Sequence, residues 1–295
     1  MILNNKPVAG LISTILLCAI LTGPVWAQTA DGGAVSKPTE ETQKKPMENQ
    51  EDLAKAAQNP IADMVSIPIQ SNFNFDYGAD RDKSQIVTNI QPVIPISLSR
   101  DWNLITRTII PVIYTEFPAY QTGLGNVQFT GFLSPAKPSK FIWGIGPVIQ
   151  FPTHTDTYLG SNKWSAGPSA VGLFLDKDSP WVIGLLVQNI WSFAGPTTSK
   201  ENPSVNQFLA QPFINYNLPK GWYITFSPII TADWKAPGQD QWTVPLGLGA
   251  GKIFKIGKLP FNGLIYAFYN AARPEIGPNW SVRAQLGLLL PKSFF

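Results

Sequence analysis

The chain has 295 residues, 44% hydrophobic and only 14% charged, with 24 Gly, 27 Pro, a net charge of +3 and a mean hydropathy of +0.01. Soluble domains carry about 25% charge, so this composition excludes a disordered chain, a coiled coil and a collagen-like fibre. Beyond the N-terminus no apolar run reaches the ~18 residues of a membrane helix, which excludes a helical transporter and leaves a large all-β protein.

The N-terminus reads as an address. Lys6 supplies a positive start, Val8 to Leu21 is almost unbroken apolar sequence, Gly23-Pro24 breaks it, and Val25-Trp26-Ala27 is an acceptable cleavage site. Residues 1–27 are therefore expected to be a secretory signal peptide; the run is short for a helical anchor. Cys18, the single cysteine, lies inside that segment, and Leu17 before it is not the small residue a lipoprotein requires. A mature chain without cysteine excludes disulfides, thiolate metal sites and a cysteine nucleophile.

Residues 28–64 form a polar stretch with seven acids, four bases and few aromatics, expected to be mostly disordered in the periplasm. A short helix is expected over 50–58, capped by Asn49 and stopped by Asn59-Pro60. The stretch can be read as a solvated periplasmic stub or as a plug or lid touching a pore.

From Val65 onward the period is two. Trp222, Ile224, Phe226, Ile230, Ala232 and Trp234 alternate with Tyr223, Thr225, Ser227, Thr231 and Asp233; Val65–Tyr77 and Trp280–Leu290 repeat the pattern. Soluble strands usually run 5–6 residues, whereas a tilted membrane strand needs ~9–11. Twelve such segments are predicted, at about 65–77, 84–98, 102–116, 123–134, 139–152, 163–175, 180–193, 204–218, 221–234, 240–254, 258–271 and 279–290. The number is even, as bacterial single-chain barrels require, and tight basic turns alternate with longer polar loops. The expected fold is all-β: a transmembrane antiparallel β-barrel of about twelve strands over residues 65–295, placed in the cell outer membrane with both termini in the periplasm.

Two rows of tryptophan support this. Trp102, Trp143, Trp181 and Trp222 each follow a tight turn, and Trp164, Trp191, Trp234, Trp242 and Trp280 lie near the opposite strand ends, as membrane interfaces select. Charges sit in turns and strand ends; the exceptions, Arg107, Asp233 and Arg283, fall on the inner face. No strand face mixes aromatic and basic residues, so no nucleic-acid partner is expected. Prolines inside the segments (Pro68, Pro92, Pro95, Pro111, Pro147, Pro168, Pro212, Pro228, Pro245) are expected to mark bulges or kinks.

Leu53 to Asp63 (LAKAAQNPIAD), Pro68 followed by Gln70-Ser71-Asn72-Phe73-Asn74, and Gly123-Leu124-Gly125-Asn126 with Phe132 and Pro135 resemble the outer-membrane barrel family linked to meta-pathway phenol degradation, whose members are often labelled "transporter" or "neuromedin U". The resemblance covers about residues 53–295 and implies uptake of small, aromatic compounds. The terminal Phe294-Phe295 resembles the signal read by the barrel-assembly machinery, an implied partner besides outer-membrane lipid.

Reactive chemistry is scarce. His154, the single histidine, lies in a predicted loop with no serine two residues on, so an outer-membrane phospholipase-like hydrolase is the weaker alternative. No enzyme activity, no cofactor and no metal site is expected. The glycines of Gly247-Leu248-Gly249-Ala250-Gly251 precede no helix, so they suit close packing in a barrel. The inner row is rich in amides and poor in charge: Asn72, Asn74, Asp76, Gln91, Arg107, Gln128, Gln150, Gln211, Asp233, Arg283 and Gln285 are the candidate lumen-lining residues. With Ile105, Ile109 and Val148 among them, the lumen suits a small neutral or hydrophobic solute, and the expected function is a passive channel or uptake protein. A structural barrel with a filled lumen is the alternative. The two arginines either tie up a packed lumen or line the solute path.

Overall fold

The computed structural model describes residues 50–137, 139–199 and 202–290. The expected signal peptide, the polar stretch up to residue 49 and Phe294-Phe295 lie outside the described residues.

A helix, α1 (Gln50–Ala57), precedes twelve strands. These are β1 (Val65–Tyr77), β2 (Lys83–Ile90 continued as Val93–Ser97), β3 (Trp102–Thr115), β4 (Gln121–Leu124 continued as Gln128–Pro135), β5 (Phe141–Gln150) and β6 (Trp164–Leu175). There follow β7 (Trp181–Ala194), β8 (Asn206–Asn217), β9 (Trp222–Phe226 continued as Ile230–Asp233), β10 (Trp242–Ile256), β11 (Leu259–Ala272) and β12 (Trp280–Leu290). Every strand pairs antiparallel with its sequence neighbours, and β1 pairs with β12 from Val65↔Leu290 to Phe75↔Trp280, so the sheet closes. The predicted twelve-stranded barrel is the fold that forms. Closure removes the edges on which unpaired backbone groups would meet lipid.

The wall is apolar outside and polar inside, the reverse of a soluble protein. Ile67, Ile69, Ile94, Ile145, Leu185, Ile224, Leu248 and Leu286 are exposed on the outer face, while Gln70, Gln91, Asn103, Thr130, Gln150 and Asn262 are buried within. The tryptophans form two outer girdles. Near the tight turns Trp102 meets Trp143 edge-on at 6.0 Å and Trp181 meets Tyr216 at 4.8 Å. Near the long loops Trp234 meets Trp242 at 5.3 Å and Trp280 stacks on Phe75 at 4.2 Å. Lys252, an outward cation close to the turns, lies 4.7 Å from the Trp222 ring, where its ammonium can reach the interface.

The prolines act in three ways. Pro92 and Pro228 fall in the breaks of β2 and β9, and the pairing register is unchanged on either side. Pro245 sits at a register shift in β10. Pro147 and Pro168 pair directly across β5 and β6, so the missing donors coincide in one rung.

Candidate functional site

The end of the barrel that carries the tight turns is filled from within. α1 places Glu51 and Asp52 in its first turn and Lys55 in its last, matching the helix dipole at both ends. Asn59 stops the helix: its Oδ1 accepts the Ile61 backbone N–H at 3.0 Å. One helix face buries Leu53 and Ala54 with Ala62, Met64, Ile253 of β10 and Leu289 of β12. Ile61 enters a second cluster with Ile105, Phe132, Leu173, Val182 and Phe213, all on the inner wall. Burying Leu53 and Ile61 contributes roughly 1.5–3 kcal/mol each. Lys55 Nζ donates to the carbonyls of Asp176 and Lys177 at 3.0 and 2.6 Å, and the Gln58 and Asn217 amides bond to each other at 2.8 and 3.2 Å. These contacts seat residues 50–64 as a plug against the inner wall at the turn end.

Above the plug lies an aromatic belt that amide counting did not reveal. Gly249 and Gly251 of β10 face inward, and a Cβ on either would collide with the Tyr266 or Tyr223 ring. Glycine here lets rings from β11 and β9 lie flat on the neighbouring strand. Tyr223 Oη donates to Asn262 Oδ1 at 2.7 Å, and Tyr266 Oη shares a 2.7 Å bond with Thr225 Oγ1. Arg283 completes the belt: its Nε donates to Asn72 Oδ1 at 2.8 Å and its Nη1 to the Ser227 carbonyl at 3.2 Å. Its guanidinium lies 5.4 Å from the Tyr266 ring centre and 4.9 Å from that of Phe268. Such stacking is favourable where the cation is desolvated.

The remaining candidate residues sort by height. Gln211 donates to Ser227 Oγ at 2.9 Å and so joins the Arg283 network. Gln128 donates to Gln150 Oε1 at 2.9 Å and accepts from Gln188 at 3.4 Å, a row of three amides across β7, β4 and β5. Gln128 and Gln188 border a cavity of about 290 Å3, lined also by Gln207, Thr231, Asp233 and the loop residues Asp240 and Pro274. Asn74 donates to Gln85 at 3.0 Å; Asp76, at φ 54°, accepts from Asn279 at 3.1 Å; Asp233 accepts the Lys235 N–H at 3.0 Å. These last three sit at the loop end. Arg107 donates to Gln91 Oε1 at 2.6 Å, and both border a second cavity, of about 160 Å3, against the plug. Gln285 lines the same cavity. Among the described residues no carboxylate lies within ion-pair distance of Arg107 or Arg283.

The two arginines therefore differ. Arg283 spends its donors on neutral partners within the wall, whereas Arg107 faces a chamber. His154 bonds through Nδ1 to Asn126 Oδ1 at 2.9 Å, and Asn126 in turn donates to the Ser161 carbonyl; this amide, in the break of β4, ties the loop between β5 and β6 to the wall. Among the described residues no serine hydroxyl bonds the His154 ring.

No family model and no curated protein sequence matches the chain. Among solved structures it is similar to the COG4313 outer membrane channel from Pseudomonas putida F1, at a TM-score of 0.59 and 16% identity over 77% of this chain and 95% of that one. It is also similar to the NanC porin, at a TM-score of 0.50 and 7% identity over 77% and 99%. At these identities the likeness is one of fold. Together with the apolar outer band and the tryptophan girdles, it gives the chain the fold of a twelve-stranded outer-membrane β-barrel.

Proposed function

We propose that the protein is a passive outer-membrane channel that takes up small neutral or hydrophobic solutes, of the size of a single aromatic ring. The observation that carries this reading is the inner surface between loop end and plug: the amides of Gln128, Gln150 and Gln188 beside Ile190 and Leu209, with few charges. Amides recognise polar substituents without demanding an ion, and apolar neighbours lower the cost of stripping water from an apolar solute. Outer-membrane lipid surrounds the barrel, and the barrel-assembly machinery inserts it.

A second reading, a structural barrel with a filled lumen, is favoured by the two apolar clusters around residues 50–64. Liposome swelling separates the two. Proteoliposomes of the mature chain should admit phenol and catechol faster than glucose or an amino acid of similar mass. Swelling at the rate of empty liposomes for every solute would favour the filled barrel.

A further inference from the structure

The chamber bordered by the plug has a composition unlike the rest of the lumen. Its volume is about 160 Å3, and its lining combines the Arg107 guanidinium, the amides of Gln70, Gln211 and Gln285, and the apolar side chains of Met64 and Phe213. No acid lines it. Arg107 sits mid-strand, paired with Val93 and Thr130, deep inside the barrel, and its side chain borders this chamber. A guanidinium has five N–H donors, and among the described residues one bond, to Gln91 Oε1, holds the side chain in place. Removed from bulk water and lacking a carboxylate partner, such a cation is costly unless an anion or ordered water meets it. Arg283 makes no comparable site, because its guanidinium is buried against Asn72, Ser227 and two aromatic rings.

We propose that this chamber is a binding site for a small monocarboxylate with a single-ring apolar body. The carboxylate would accept two N–H bonds from Arg107, the geometry for which a guanidinium is suited. The glutamine amides would take any ring hydroxyl, and Met64, Phe213 and Leu186 would cover the ring. The volume sets the upper limit: an apolar cavity of about 150 Å3 holds one benzene. The plug forms the floor, through Ala57 and Pro60, so the site lies on the path the proposed channel function requires and rests on that reading.

Isothermal titration of the refolded mature chain in detergent tests this, with benzoate, benzyl alcohol and acetate as probes and empty micelles subtracted. Benzoate should bind saturably and about tenfold or more tighter than either of the others, because benzyl alcohol lacks the charged hydrogen bonds and acetate lacks the buried ring. Arg107→Gln should reduce benzoate to the level of benzyl alcohol, while Arg107→Lys should keep part of the preference. Ala57→Leu, which fills the chamber, should weaken benzoate and benzyl alcohol alike. Equal binding of benzoate and benzyl alcohol by the parent chain would overturn the proposal, and so would undiminished benzoate affinity in a folded Arg107→Gln. The parent comparison decides the matter even if Arg107→Gln fails to fold. Binding is read at equilibrium and not as flux: benzoate binding without solute swelling would overturn the channel reading alone, and swelling without benzoate binding would overturn the site alone.

Discussion

Leu286 and Gln285 are adjacent on β12 and face opposite ways, which allows a direct test of the wall's orientation. Leu286 is 48% exposed on the outer face, paired with Ile69 and Gly263. Gln285 faces the inner chamber, paired with Gln70 and Leu264. Leu286 stands six residues from the girdle residue Trp280 and four from the strand end at Leu290. At about 3.3 Å per residue and a tilt of about 40°, that places it roughly 15 Å below one interface and 10 Å from the other. A lysine side chain is about 6 Å long and cannot bring its ammonium to either surface. Leu286→Lys should therefore cost about 2–4 kcal/mol, the range for Lys or Arg at the midplane of a barrel's lipid face. That is a shift of about 30- to 1,000-fold in the folding equilibrium. Gln285→Lys places the same charge in a hydrated chamber and should cost under about 1 kcal/mol. Urea titration in lipid vesicles, read by heat-modifiable gel mobility, gives both values. Equal losses for the two variants would refute the assignment of faces.

Three further outcomes follow from the packing. Leu53→Asp puts a charge into the cluster of Ala62, Met64, Ile253 and Leu289, and should free the plug at a cost of about 3 kcal/mol; trypsin should then cut at Lys55 while the barrel band persists, whereas the parent chain resists at that site. Arg283→Gln removes two hydrogen bonds and two ring contacts and should lower stability by about 2–4 kcal/mol, while Arg107→Gln should fold normally and shift reversal potentials towards cations; the opposite pattern would exchange the two roles. Gly251→Val drives a side chain into the Tyr223 ring and should destabilise by about 1–3 kcal/mol or more, a loss that Tyr223→Ala in the same chain should partly recover in urea titration.

The wall was legible because alternation is a local property. A strand with lipid on one side and lumen on the other must alternate, whatever its partners, so the twelve segments and their faces emerge from the sequence with ends within a few residues. Contents of the lumen are not local. Ile61 meets Phe132, Leu173 and Phe213 from three different strands, and no spacing along the chain announces that meeting. Arg107 and Arg283 read alike in sequence, each a lone cation on an inner row; only their neighbours across the barrel separate a wall tie from a chamber-facing group. Thr225 illustrates the same limit. Alternation assigns it to the lumen, yet it is 1% exposed under Tyr266 and leaves no room for a larger side chain. The one signal that could have revealed the aromatic belt is the run of inward glycines at 247, 249 and 251, since three missing side chains on one lumen row imply that something else fills the space.

Single-channel recording in planar bilayers, comparing the mature chain with a variant lacking residues 50–60, tests the central claim most directly. A solute path narrowed at one end by an internal plug predicts small, discrete conductance steps for the parent chain and a severalfold larger step once the plug is gone. The absence of steps in both proteins, with the barrels shown to be folded and inserted, would contradict the existence of a path through the lumen.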